Sequence, residues 1–224
     1  MPAVLTARAL LFDLDGVLAD STASVERHWR SWARKHSLDE DALIAVVHGR
    51  RALDTIREVT PHLDAERELA ALVDAEAGDT SDVTATPGAK ALLARLPRDA
   101  WAVVTSGVRS VAEARLRASG LPMPTLLVPA DEIARGKPDP EGYLTAARKL
   151  GLAPEHCVVI EDAPAGIAAA RNAGMQCVAL TTTHSAHAVA HADLIVASLA
   201  ALGVHIARRD GGTRYTLSAT SMAT

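Results

Sequence analysis

Six short, almost unbroken apolar runs punctuate this chain: residues 9–13 (ALLFD), 101–105 (WAVVT), 125–128 (TLLV), 157–161 (CVVIE), 177–180 (CVAL) and 193–196 (DLIV). A strand with one face in water alternates apolar with polar residues, whereas a strand covered on both faces does not. The runs therefore predict strands of a buried parallel sheet. Between them, residues 111–120, 140–151 and 165–174 have helical periodicity, each ending on a glycine able to take the left-handed conformation that closes a helix. This alternation predicts an α/β fold with a doubly wound, Rossmann-like parallel sheet.

Residues 17–85 break the alternation. From Ser21 to about Gly78 the pattern is helical throughout (VERHWRSWARKH, DEDALIAVVHG, ALDTIREV, AERELAALVDAEA), and TSDVTATPG at 80–88 has the composition of a return linker. The expected organisation is a discontinuous core, 1–16 and 86–224, with an all-helical insert at 17–85. After Gly203 a polar, strand-like tail carries DGG at 210–212 as a hairpin turn, and its last residues are expected to fray.

Composition excludes several classes. The chain is 49% apolar and 22% charged, which predicts a folded core, and its net charge of −4 leaves no basic footprint for nucleic acid. The N-terminal ALLF is too short for a signal sequence or a membrane span, so a cytoplasmic protein, monomeric or weakly dimeric, is expected. Cys157 and Cys177 each lie in an apolar run and are expected to be buried free thiols.

Ligands of an open parallel sheet bind beyond the carboxyl ends of its strands. There the first run ends in Asp13-Leu14-Asp15-Gly16, the second in Thr105-Ser106-Gly107 and the fourth in Glu161-Asp162; Lys137 lies in GKPDP between the third and fourth. Carboxylates converging on one lysine and one hydroxyl suit a hard cation beside an oxyanion. All-oxygen donors favour Mg²⁺, and unpaired acids so close together would repel one another.

FDLDG, VVTSG, RGKPDPEGY and VVIEDAPAGIAAARNAGM together resemble the four motifs of the haloacid dehalogenase superfamily of phosphohydrolases, and the helical insert resembles that family's C1 cap. The resemblance implies that Asp13 is the nucleophile that takes the phosphoryl group. Asp15 would be the acid that protonates the leaving alcohol and then activates water. It assigns Mg²⁺ to Asp13, the Asp15 carbonyl and Asp162, with Glu161 in direct or indirect contact. Thr105, Ser106 and Gly107 would bind the phosphoryl group, and Lys137 would neutralise it and orient Asp13. The second acid, Asp15, disfavours dehalogenation. Lys35 is the only lysine between 17 and 85 and lies within a helix, which disfavours Schiff-base phosphonate chemistry.

Substrate choice is expected in the insert. HGRRALDTI (48–56) resembles the specificity loop of the family's glycerol-phosphate and 2-deoxyglucose-6-phosphate phosphatases, which implies that His48, Gly49, Arg50 or Arg51 reaches substrate. The alternative is a solvated helix start with Asp54 as the arginine's partner. His28, Trp29 and Arg109 are further candidates at the cleft. His184, His187 and His191 could suggest zinc by spacing alone but are expected at the surface. The expected activity is Mg²⁺-dependent hydrolysis of small sugar or polyol monophosphates. The rivals are a β-phosphoglucomutase-like isomerase, with Arg50 anchoring a distal phosphate, and a non-catalytic binding module, against which the intact acids argue.

Overall fold

A computed structural model describes residues 3–209 and 212–220. Along the chain run β1 (Leu5–Ala7), β2 (Ala9–Phe12), β3 (Ala19–Asp20), α1 (Thr22–Lys35), α2 (Glu40–Val47), α3 (Ala52–Val59), α4 (Ala65–Gly78) and β4 (Thr84–Ala85). There follow α5 (Ala89–Leu93), β5 (Trp101–Val104), α6 (Arg109–Ala118), β6 (Leu127–Val128), α7 (Glu141–Lys149) and β7 (Cys157–Glu161). The chain closes with α8 (Pro164–Asn172), β8 (Gln176–Leu180), β9 (Leu194–Val196), β10 (Leu202–Arg209) and β11 (Gly212–Ala219).

The central sheet has the order β6-β5-β2-β7-β8-β9, with every neighbouring pair parallel. Counted within this sheet alone the order is 3-2-1-4-5-6, the doubly wound arrangement that reverses direction at its first strand. The continuous apolar runs exist because each strand is covered twice. On β2, Leu10 and Phe12 enter one apolar cluster while Ala9 and Leu11 enter the other, and on β7 Val158 and Ile160 oppose Cys157 and Val159. The third run yields only a two-residue edge strand, β6. Pro122 and Pro124, just upstream, lack the N–H a longer ladder needs. Cys157 and Cys177 are buried and free.

Four helices, α1–α4, lie between β2 and β5 and share a separate apolar cluster. Trp29 and Trp32 meet edge to face at 5.6 Å within it, beside Leu43, Val47, Ile56 and Leu72. Asp39 and Asp64 cap α2 and α4 by accepting from the Ala42 and Arg67 amides. The two crossings into this segment are not free linkers. Ala19 pairs with Ala85 and Asp20 with Thr84, so β3 and β4 form an antiparallel ribbon at its base.

The tail is strand-like, as its pattern predicts, and it also contributes to the core. β10 and β11 form a hairpin that the unanticipated β1 extends, with Leu5 opposite Leu217, and Tyr215 and Leu217 are completely buried against the main core. Arg209 stands opposite Gly212; the expected turn at Asp210 and Gly211, and the residues expected to fray after Thr220, lie outside the described residues. Among the described residues no helix is long and apolar enough to cross a membrane.

Candidate active site

Because β2 lies where the strand order reverses, residues leaving its carboxyl end enter the crevice between the two halves of the sheet. Asp13 is the first of them. Its amide still bonds the Ile160 carbonyl at 3.0 Å, so the carboxylate is anchored to the sheet. The chain then turns: Leu14 O accepts from the Leu18 and Ala19 amides at 2.8 Å each, and Gly16 sits at φ +77°. A Cβ on Gly16 would lie 2.1 Å from Asp162 Oδ2, so the turn requires glycine for space as well as for φ.

Lys137 Nζ donates to Asp13 Oδ1 and to Glu161 Oε1, each at 2.6 Å, and all three side chains are buried. Tyr143 Oη adds a bond to Glu161 Oε1 at 3.0 Å, while Glu161 Oε2 accepts from the Asp162 and Ala163 amides. Both oxygens of Glu161 are thus engaged by protein donors. Burial alone would raise this carboxyl, but Lys137 and the two amides hold it below its usual range. For Asp13 burial wins: its pKa is pushed up to about 7, with Lys137 opposing and Glu161 and Asp15 reinforcing the rise. Asp162, buried beside the same two acids, is raised well above the ordinary range despite the Thr183 hydroxyl donating to Oδ2.

Three acids therefore share one lysine, a cluster short of positive charge. Asp13, Glu161 and Asp162 present oxygens within 4.8 Å of one another, a hard, all-oxygen donor set that fits a divalent cation. Where burial raises acid pKa values, a cation restores the carboxylate form.

Asp15 is held differently. Ser21 Oγ donates to Oδ1 at 2.6 Å and Arg115 Nη1 to Oδ2 at 2.9 Å, leaving the carboxylate facing the cleft with about a quarter of its side chain exposed. Thr105 is buried beside Lys137, its Oγ1 accepting from the Gly107 amide at 3.0 Å. Asp13, Asp15, Asp162, Ser106, Gly107, His48, Gly49 and Arg50 all line one cleft that is open at its mouth. The helical segment roofs this cleft: Ser106 Oγ donates to the Gly49 carbonyl at 2.9 Å, and a Cβ on Gly49 would meet Ala163 Cβ at 2.7 Å.

Three sequence candidates lie elsewhere. Arg51 forms a two-pronged pair with Asp54, the partner the alternative reading of this loop gives it, but it is largely buried rather than solvated. It also donates to Ile133 O at 3.0 Å and lies against Gly136, so it fastens the helical segment to the core. Arg109 does not line the cleft; it is drawn outward by Glu113, Glu132 and the Leu127 carbonyl. His28 bonds back to Ser24 O within its own helix, whereas Trp29 both packs in the helical cluster and contributes to the cleft wall. Arg50 lines the cleft but is engaged by Glu58.

Other residues of the site carried no motif. Arg115 and Glu76 line the cleft, Nη2 of the first bonding Oε2 of the second at 2.9 Å. Both were detectable as charges on apolar stripes, Arg115 among Val111, Ala112 and Leu116, and Glu76 in register with Leu69 and Leu72. Thr183 also lines the cleft. His184 is half-buried beside it, its Nδ1 2.8 Å from Thr183 Oγ1 and its ring edge-on to His48, while His187 and His191 are exposed.

Acids gathered with a single lysine where a doubly wound sheet reverses, under a helical roof, form a buried all-oxygen site that fits a divalent cation. The family model for haloacid dehalogenase-like hydrolases matches residues 7–174, and the chain belongs to that family. It is 42% identical over 197 residues to hexitol phosphatase A of Escherichia coli, covering 86% of this chain and 91% of that protein. It is 35% identical over 196 residues to glycerol-1-phosphate phosphohydrolase 2 of Saccharomyces cerevisiae, covering 81% and 78% respectively. Among solved structures, a hydrolase from Pseudomonas syringae superposes with a TM-score of 0.78 at 26% identity, covering 86% of this chain and 94% of that one.

Proposed function

We propose that this protein is a Mg²⁺-dependent phosphatase that hydrolyses small sugar or polyol monophosphates through an aspartyl-phosphate on Asp13, with the helical segment 17–85 acting as a cap over the core. The observation that carries the reading is the pairing of two unlike carboxylates two residues apart. Asp13 is buried on Lys137, as suits a nucleophile, while Asp15 is partly exposed and held at both oxygens, as suits a proton carrier. The hexitol and glycerol phosphatases among its relatives support the substrate class.

In this mechanism an Asp13 oxygen attacks phosphorus as the ester P–O bond breaks, and Asp15 delivers its proton to the departing alkoxide. Water then attacks the phosphorus, Asp15 accepts its proton, and the P–O bond to Asp13 breaks, releasing inorganic phosphate. Lys137 fixes Asp13, Thr105 and the Ser106 and Gly107 amides bind phosphoryl oxygens, and His48 and Arg50 face the alcohol. Mg²⁺ held by Asp13, Asp162 and the Asp15 carbonyl would neutralise charge on the phosphoryl group. The isomerase alternative needs a free cation for a distal phosphate, but Arg50 and Arg51 are engaged by Glu58 and Asp54.

Phosphate release from glycerol phosphates, hexitol phosphates and deoxyhexose phosphates tests the reading. Turnover lost both in Asp13→Asn and without Mg²⁺ is expected. Conversion of glucose 1-phosphate to glucose 6-phosphate without phosphate release overturns it.

A further inference from the structure

We infer that Arg115 is a positioning residue for Asp15, and that Glu76 of the helical segment completes its grip, so that seating this segment on the core sets the acid–base carboxylate. The inference rests on the phosphatase reading above and on the roles given there to Asp13 and Asp15.

Arg115 projects from α6 with only 5% of its side chain exposed. One nitrogen, Nη1, meets Asp15 Oδ2 and the other, Nη2, meets Glu76 Oε2, both at 2.9 Å. A guanidinium presents its donors in a fixed planar fork, so occupying one prong orients the other. Glu76 lies on α4, near the point where the helical segment returns to the core, and its side chain is 11% exposed. Were α4 to move away, a buried cation would lose one of its two anions and the prong aimed at Asp15 would lose its reference. Ser21 Oγ fixes the other oxygen of Asp15 from the outgoing end of the same segment. Asp15 is therefore clamped by a residue at the start of the helical segment and, through Arg115, by one at its end.

An aryl ester separates this role from general damage. p-Nitrophenolate departs without a proton, so transfer of its phosphoryl group to Asp13 does not need Asp15 as an acid. Hydrolysis of the aspartyl-phosphate still needs Asp15 to take a proton from water. Stopped-flow mixing of p-nitrophenyl phosphate with the Mg²⁺-loaded protein reads the two steps as a burst and a steady rate. For Arg115→Met the expected result is a burst of one nitrophenolate per protein at a rate within about threefold of the parent. The steady rate is expected to fall about 10- to 100-fold, less than the roughly 10²- to 10⁴-fold that general acid–base catalysis supplies, because Asp15 itself remains in place. With glycerol phosphate kcat falls at least as far while KM changes little. Arg115→Lys, which has no fork, recovers only part of the loss. Glu76→Ala lowers the steady rate less than Arg115→Met, Glu76→Gln regains much of that loss, and the double variant Glu76→Ala/Arg115→Met is no worse than Arg115→Met alone.

Equal loss of burst and steady rate in Arg115→Met and in Arg115→Lys means that Arg115 merely supports the fold and overturns the inference. Multiplying effects in the double variant overturn the link through Glu76. A parent protein inactive on both esters with Mg²⁺ overturns the phosphatase reading itself, a result distinct from either.

Discussion

Replacing Lys137 by methionine removes the charge at the centre of the site while roughly keeping its volume. Lys137 Nζ lies 2.6 Å from both Asp13 Oδ1 and Glu161 Oε1, and all three side chains are at most 7% exposed. Deleting one partner of such a buried group leaves uncompensated charge and costs about 3–5 kcal/mol. At about 2–4 °C per kcal/mol for a chain of this length, the melting temperature in EDTA should fall by roughly 6–20 °C. The sign with pH follows from burial. Unpaired buried carboxyls titrate higher in the native than in the unfolded state, so the native state binds protons more readily and stability is regained as pH falls. The parent shares this sign through Asp13, raised to about 7 from 3.8, so the informative quantity is the difference between variant and parent. That difference should shrink between pH 8 and pH 5.5. Adding Glu161→Gln should recover part of it, and Mg²⁺ should raise the melting temperature of the variant more than that of the parent. Thermal unfolding at several pH values with and without Mg²⁺ makes the measurement. A deficit below about 1 kcal/mol at pH 8, or one that grows on acidification, refutes the claim that Lys137 neutralises these acids.

Gly16→Ala should abolish phosphate release, because its Cβ falls 2.1 Å from Asp162 Oδ2 at φ +77°; turnover within tenfold of the parent would contradict the clash. Arg51→Ala removes the bond to Ile133 O and should raise KM several-fold with a larger radius of gyration in solution scattering, kcat changing less. Glu68, hydrogen-bonded by Lys35, His36 and Trp32, has its pKa lowered from 4.5 to about 2. Its stabilising contribution is therefore full above pH 4.5 and lost as pH falls through 2. The melting-temperature gap between parent and Glu68→Gln should be constant above pH 5 and close toward pH 2. Truncation after Gly203 removes the buried Tyr215 and Leu217, each worth about 1.5–3 kcal/mol, and should prevent cooperative unfolding seen by calorimetry.

The continuous apolar runs made the central sheet legible, because only strands covered on both faces tolerate them, and the helical periodicity of 22–78 marked the insert in the same way. The strand-end carboxylates were legible because a parallel sheet gathers its carboxyl ends on one edge whatever the loops do. β1 was not, since three residues carry too little pattern until a partner 212 residues away, Leu217 opposite Leu5, supplies the ladder. Which of the two adjacent arginines faces the cleft was not legible either. Adjacent Arg50 and Arg51 look alike in sequence, and only the packing of α3 on the core sends Arg51 to Ile133 O and leaves Arg50 in the cleft wall.

By itself, then, local sequence determined what depends on period and chemistry: a doubly wound sheet, a helical insert, and acids with one lysine at the strand ends. Tertiary structure decided which charges meet. Lys137 spans Asp13 and Glu161, and Arg115 spans Asp15 and Glu76, partners 100 and 39 residues distant. Spacing along the chain carries no record of such pairings, because they arise only when elements already folded are packed against one another and buried charge has to find its counter-charge.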